Sequence, residues 1–302
     1  MKRKKIIAML IAALMCAAAL TACGSGKSST EATPSASAED TGSDNSNAAG
    51  NPTADSGSEG SDYSYITDKG ELTIGITIYE PMNYYDENGG LTGFDTEFAL
   101  AVCETLGLEP VFQEINWETK EVELSAKTID CIWNGMTITP ERSANMSISL
   151  PYVKNAQVIV VRADSGVTSS ADLIGKTVVA EMGSAGEAQI AGDEADESLA
   201  QADYIGKTKQ TDCLLEVKAG TADAAVLDWT LAKSMVGEGT DYSDLIMIEG
   251  LELASEEYGI AFRKDSDMTE KVNAVIKELA NGGTLDALAE KYGLSLAPAL
   301  TD

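Results

Sequence analysis

The run Asn134-Gly135-Met136-Thr137-Ile138-Thr139-Pro140-Glu141-Arg142 sets one guanidinium at the start of a short helix. Thr139 followed by Pro140 is a helix-start signal: a hydroxyl caps free N–H groups, and proline takes the first helical position without losing a bond. Arg142 therefore falls in the first turn, where a cation is poorly placed against the helix dipole unless an anion joins it. Taken alone, the stretch fits a solvated surface arginine better, and the rest of the chain decides against that reading. Before it, Ile129-Asp130-Cys131-Ile132-Trp133 alternates with a period of two, which predicts a strand ending in a turn with exposed amides at Asn134. Trp133 should then face away from Asn134 and pack. Asp228 is a second candidate, closing the apolar run Asp223-Ala224-Ala225-Val226-Leu227 just before a helix from about Trp229. There it can cap the helix or reach a ligand, and the two roles are compatible.

Stepping outward from these residues, short apolar strands alternate with helical patterns. Leu72-Thr73-Ile74-Gly75-Ile76 is a strand, and the loop Tyr79-Glu80-Pro81-Met82 leaves its C-terminal end, where open α/β sheets usually hold ligands. A turn at Asp86-Glu87-Asn88-Gly89-Gly90 precedes a helix from Asp95 to about Leu106, then a strand at 111–115 and a helix at 118–127. Strand, helix, strand, helix, strand describes a parallel sheet built from right-handed crossovers. A second series follows: strands at 156–161 and 176–180, a glycine-rich turn at Gly183-Ser184-Ala185-Gly186, the strand ending at Asp228, and a further strand at 245–248. Residues 258–262 form a last strand before an amphipathic helix, in which Met268, Val272, Val275, Ile276 and Leu279 keep helical spacing, and a final helix covers 285–291.

The chain has 302 residues and a formal net charge of −28. Such acidity argues against binding nucleic acid or an anionic membrane face through charge. With no histidine, Ser-His and Cys-His catalytic pairs and histidine metal sites are excluded. No metal and no cofactor are expected. Cys103, Cys131 and Cys213 lack metal-ligand spacing and, lying among apolar neighbours, are expected as buried free thiols, although an exported chain permits a disulfide.

The N-terminus reads as targeting: Lys2-Arg3-Lys4-Lys5, an apolar run from Ile6 to Leu20, then Leu20-Thr21-Ala22-Cys23. The last four resemble the bacterial lipoprotein signal, which implies a signal peptide at 1–22 and lipidation of Cys23. Two acyl chains on one cysteine hold a protein stably to a membrane. From Gly24 to about Asp62 no large apolar residue occurs. That composition cannot offset its ordering entropy, so residues 23–62 are expected as a lipidated cysteine and a disordered tether, spanning about 35 Å as a flexible coil.

In their order and spacing, several fragments resemble the family 3 extracellular solute-binding proteins, the amino-acid receptors of ABC importers. They are Leu91-Thr92-Gly93-Phe94-Asp95, the stretch from Ile129 to Arg142, Gly183-Ser184, Ala224-Ala225-Val226-Leu227-Asp228, and Tyr258-Gly259-Ile260-Ala261-Phe262. The resemblance implies an α/β, two-lobed periplasmic-binding-protein-like fold of type II with two crossover hinge strands. Lobe 1 would be 63–152 plus 258–302 and lobe 2 156–254, with crossovers near 152–155 and 255–257. It implies a monomer outside the cell, anchored by lipid, that binds a free amino acid and meets an ABC permease.

Carried over to this sequence, the resemblance assigns the ligand carboxylate to Arg142, assisted by the Thr137 hydroxyl and N–H and the Ala185 N–H. It assigns the ammonium to Asp228, with the Gly135 carbonyl and the Thr137 hydroxyl. Tyr79 and Trp117 would flank the ligand side chain, and Asn134 and Ser184 complete the binding set. The chemistry is coherent, since a free amino acid needs an anion site and a cation site a few ångströms apart, and Arg142 offers a two-pronged contact. Ile76 stands where receptors for basic amino acids tend to carry an aspartate, which points to a small polar or neutral ligand; Glu80 and Glu181 could restore acidity. The alternatives are a cyclohexadienyl-dehydratase-like enzyme on the same fold, with Glu80 or Glu181 as its acid or base, and a receptor that presents its ligand to a sensor protein.

Overall fold

The computed structural model describes residues 61–193 and 195–301. The leader, Cys23 and most of the expected tether lie outside them. The chain opens with helix α1 (Asp62–Lys69), held between the Ser61 hydroxyl and a left-handed Gly70. Ser61 and Gly70 are ordinary cap signals that the sequence reading left unused.

Strand β1 (Glu71–Ile76) leads through Tyr79 to a small hairpin, β2 (Tyr84–Tyr85) and β3 (Leu91–Thr92), folded around the Asp86–Gly90 turn. Helix α2 (Phe94–Leu106), β4 (Glu109–Glu114), α3 (Lys120–Ser125), β5 (Cys131–Thr137), α4 (Pro140–Asn145) and β6 (Ser147–Ile148) follow. Then come β7 (Val153–Arg162), β8 (Thr177–Glu181), α5 (Ala185–Ala191), β9 (Asp203–Lys207), α6 (Gln210–Ala219), β10 (Ala224–Asp228) and α7 (Trp229–Met235). The chain closes with β11 (Leu245–Phe262), α8 (Met268–Asn281) and α9 (Thr284–Tyr292).

The main sheet runs β4-β1-β5-β11-β7-β10-β8-β9, with β6 beside β11. At one end β4, β1 and β5 are parallel; at the other β10, β8 and β9 are parallel. Between them β11 and β7 pair antiparallel, bringing Glu256 opposite Asn155 and Tyr258 opposite Val153. This is an α/β, two-lobed fold of type II in which two neighbouring strands carry the chain between the lobes. The inner parallel strands β1, β5, β8 and β10 are buried on both faces, whereas the outer strands β4 and β9 are partly exposed.

Two expectations are corrected. The turn expected at Asn134 is strand: β5 continues to Thr137 with every residue buried. The separate strands expected at 245–248 and 258–262 are ends of one 18-residue strand, β11. Its middle shifts register between Met247 and Glu252 and again before Ala254, and such bulges erase the alternation by which a strand is recognised.

The large core joins α2, α8 and α9 to the sheet. Phe98 meets Trp133 edge-on with centroids 5.0 Å apart, and Phe94 stacks on Tyr152 at 6.0 Å, so Trp133 packs inward as expected. Cys103, Cys131 and Cys213 are buried free thiols.

Candidate functional site

The C-terminal ends of β1, β5, β8 and β10 converge on one cleft, as open α/β sheets dictate. Its walls are Tyr79, Trp117, Asn134, Gly135, Thr137, Arg142, Glu181, Ser184, Ala185, Gln210 and Asp228. The space between these walls, open solvent included, is about 240 Å³.

Arg142 sits where Thr139 and Pro140 put it, in the first turn of α4, with the Thr139 hydroxyl accepting from its N–H at 3.1 Å. The residue as a whole is 8% exposed. Nη1 donates to the Thr137 carbonyl at 2.8 Å and Nη2 to the Gly183 carbonyl at 3.0 Å. Two of its five N–H donors are thus fixed by backbone oxygens, which aims the rest. Lys120, buried behind Trp117, donates to the same Gly183 carbonyl at 2.9 Å and to the Trp117 carbonyl at 3.1 Å. Burial first, then the nearby Arg142 charge, brings Lys120 down to about 8.

Asp228 stands at the N-cap position of α7, yet its carboxylate makes no cap bond. The capping role is therefore corrected. Instead Oδ1 accepts from Asn155 Nδ2 at 2.6 Å and Gln157 Nε2 at 2.7 Å, and Oδ2 accepts from Gln210 Nε2. Three amide donors hold the carboxylate in one orientation, while burial raises its pKa. Glu256 on β11 lies next to it: Oε2 accepts from Thr137 Oγ1 at 2.9 Å, Asn155 Nδ2 at 3.0 Å and Gln157 Nε2 at 3.1 Å. Burial, then the Asp228 charge, pushes Glu256 up to about 7. The Thr137 hydroxyl, expected to face a ligand, is thus engaged by Glu256.

Tyr79 presents its ring to the cleft while its hydroxyl donates to Tyr258 at 2.8 Å and bonds Thr230 at 3.1 Å. Asn134 lines the wall with most of its amide engaged: Oδ1 accepts from the Thr77 N–H at 2.9 Å and Asn83 Nδ2 at 2.7 Å, and Nδ2 donates one of its two N–H groups to Thr77 Oγ1 at 2.6 Å. Ser184 caps α5 by accepting from the Glu187 N–H at 3.1 Å, which leaves Ala185 at the first helical position. All of Tyr79, Trp117, Asn134, Gly135, Thr137, Arg142, Ser184, Ala185 and Asp228 therefore meet at one cleft. Glu80 does not join them; it accepts from Ser234 at 3.0 Å.

Sequence reasoning missed Lys120, Asn155, Gln157, Gln210 and Glu256. Asn155 and Gln157 left a trace, being polar residues two apart within an apolar strand and so on one face. Lys120 and Gln210 left none, since a polar residue early in a helix is ordinary.

A family model described as "Bacterial extracellular solute-binding proteins, family 3" matches residues 72–295. The arginine-binding extracellular protein ArtP of Bacillus subtilis is 32% identical over 231 residues, covering 74% of this chain and 86% of that protein. The L-cystine-binding protein TcyJ of Escherichia coli is 30% identical, covering 75% and 84%. Among solved structures, a mutant of ArgBP from T. maritima superposes with a TM-score of 0.70 at 36% identity, covering 76% of this chain and 98% of its own.

Proposed function

The chain belongs to the bacterial extracellular solute-binding proteins of family 3, and we propose that it closes its two lobes on one free amino acid and delivers it to an ABC importer. Arg142 takes the carboxylate through the N–H groups that Thr137 and Gly183 leave unused. Asp228 takes the ammonium, with the Gly135 carbonyl beside it. Tyr79 and Trp117 flank the side chain, and the first N–H groups of α5, at Ser184 and Ala185, close over the carboxylate. The observation that carries this reading is that a fixed cation and a fixed anion, from opposite ends of the sheet, line one small cleft. A ligand gripping both favours the closed form over the open one, the differential contact that a hinge switch requires.

The lobes are taken as 63–152 plus 258–302 and 156–254, hinged where β7 and β11 pair. The protein is exported, anchored through lipid on Cys23 and monomeric, and it releases its solute chemically unchanged. Support for the anchor is the sequence Leu20-Thr21-Ala22-Cys23 behind a basic and apolar leader. In this reading the curated relatives' ligands, arginine and cystine, mark the class as amino acids.

Calorimetric titration of residues 61–302 with the twenty amino acids tests the reading. Binding of at least one is expected, and Arg142→Ala or Asp228→Ala should weaken it by at least roughly thirtyfold, because each strands a buried opposite charge on the ligand. Unchanged affinity in either variant, with its fold intact by circular dichroism, would remove that residue from the site.

A further inference from the structure

Glu181, the last residue of β8, lines the cleft at 3% exposure, and among the described residues no donor reaches its carboxylate. Every other buried carboxylate near the cleft is held: Asp228 by three amides, Glu256 by Thr137, Asn155 and Gln157, and Asp95 by the Gly135 N–H at 2.6 Å and the Tyr152 hydroxyl at 3.0 Å. Its oxygens are not among the fully enclosed unpartnered atoms of the described residues, so they open onto the cleft and face whatever enters it. Lys120 does not serve it, for its ammonium is directed to the Trp117 and Gly183 carbonyls and makes no ion pair with Glu181 within 4.0 Å.

Charge gives the chemistry of the missing partner. Among the wall residues, Asp228 and Glu181 oppose Arg142 alone. Adding the layer behind brings two more carboxyls, Glu256 and Asp95, and one more cation, Lys120. Either way carboxyls outnumber cations. The two charges of an α-amino acid cancel each other, so a cationic side chain is the ligand group that reduces the excess. Tyr79 and Trp117 add aromatic faces, which attract ammonium and guanidinium groups.

We infer that Glu181 is the specificity-determining residue of this cleft and selects amino acids whose side chains end in a guanidinium or an ammonium. The inference rests on the reading that Arg142 and Asp228 hold the α-carboxylate and α-ammonium, and it reverses the neutral ligand that Ile76 suggested. Ile76 is buried in the core and does not line the cleft, so the acid comes from the opposite lobe instead. Burial, then the Asp228 charge, pushes Glu181 up to about 8, so an arriving cation completes its ionisation and gains a charge-assisted hydrogen bond.

The test compares L-arginine, L-lysine and L-glutamine by calorimetry on residues 61–302, in the wild type and in Glu181→Gln. The wild type should bind arginine or lysine more tightly than glutamine by roughly ten- to a hundredfold, the range of a hydrogen bond to a charged group, and Glu181→Gln should collapse that ratio. A wild type that prefers glutamine, or a variant that keeps the ratio, overturns the inference while leaving the amino-acid receptor standing. If none of the twenty amino acids binds, the receptor reading itself fails. Because the wild-type preference is read without any substitution, a variant that folds poorly does not remove the test.

Discussion

Gly135 shows how narrowly single residues shape this cleft. Its φ is +55°, and a Cβ there would sit 2.4 Å from the Tyr79 hydroxyl oxygen and 3.0 Å from its ring. Tyr79 can make room only by breaking the bonds that hold its hydroxyl to Tyr258 and Thr230. Beneath, the Gly135 N–H donates to Asp95 at 2.6 Å, which fixes the strand's position from the other side. Gly135→Ala should therefore displace the Tyr79 ring into the ligand's space and weaken amino-acid binding by tenfold or more. The left-handed backbone adds strain of order 1–3 kcal/mol, so a lower melting temperature is expected as well. Titration and a melting curve on the same sample check both, and a variant that melts lower yet binds normally would show that Tyr79 is scaffold only.

Among the elements, α2 depends on Gly93 more than its apolar face suggests. With φ at +121°, a Cβ on Gly93 would lie 2.2 Å from the Met82 carbonyl oxygen, which is backbone and cannot give way as a side chain could. Asp95, which anchors Gly135, and Phe94 and Phe98 of the core all follow within its first turns. Gly93→Ala should lower the unfolding free energy by about 2 kcal/mol or more, measured by urea denaturation; a loss below about 0.5 kcal/mol would mean that the loop repacks freely. The spacing of Phe94, Phe98, Val102 and Leu106 made this helix legible, as did the Thr139-Pro140 start of α4 and the apolar runs of β1, β7 and β10. What stayed hidden depends on partners distant in sequence. The polar, bulged middle of β11 reads as loop until β7 lies beside it, and Glu256 becomes a site neighbour only through that pairing. Arg142, Asp228 and the glycine-rich turn before α5 were found because their order matched a family, whereas Glu181 was noticed for its charge and gained meaning from burial.

For the molecule as a whole, the same buried carboxyls make stability fall as pH rises. Asp95 and Glu256 are pushed up to about 7 and Glu181 to about 8, in each case by burial first. In the unfolded chain they titrate near 4, so between pH 5 and 7.5 the folded state binds more protons than the unfolded one. Their contribution is complete below pH 4 and is lost as pH climbs through 7 and 8. Lys120, lowered to about 8, acts in the opposite sense, but chiefly above that pH, where the folded form sheds its proton first. Carboxyls held low, such as Asp86 by the Gly90 N–H and Asp267 by the Ser61 hydroxyl, weaken the fold only once pH drops below about 4, outside the window. The formal charge of −28 pushes the same way, since acid relieves repulsion among the many surface carboxylates. Urea midpoints of residues 61–302 should therefore be higher at pH 5 than at pH 7.5, with salt reducing only the surface part of the difference. Replacing Glu256 by glutamine should shrink the portion that salt leaves. A midpoint that is flat or rises over this range would mean that these carboxyls are already ionised in the folded protein, and that their polar neighbours hold them more strongly than burial repels them.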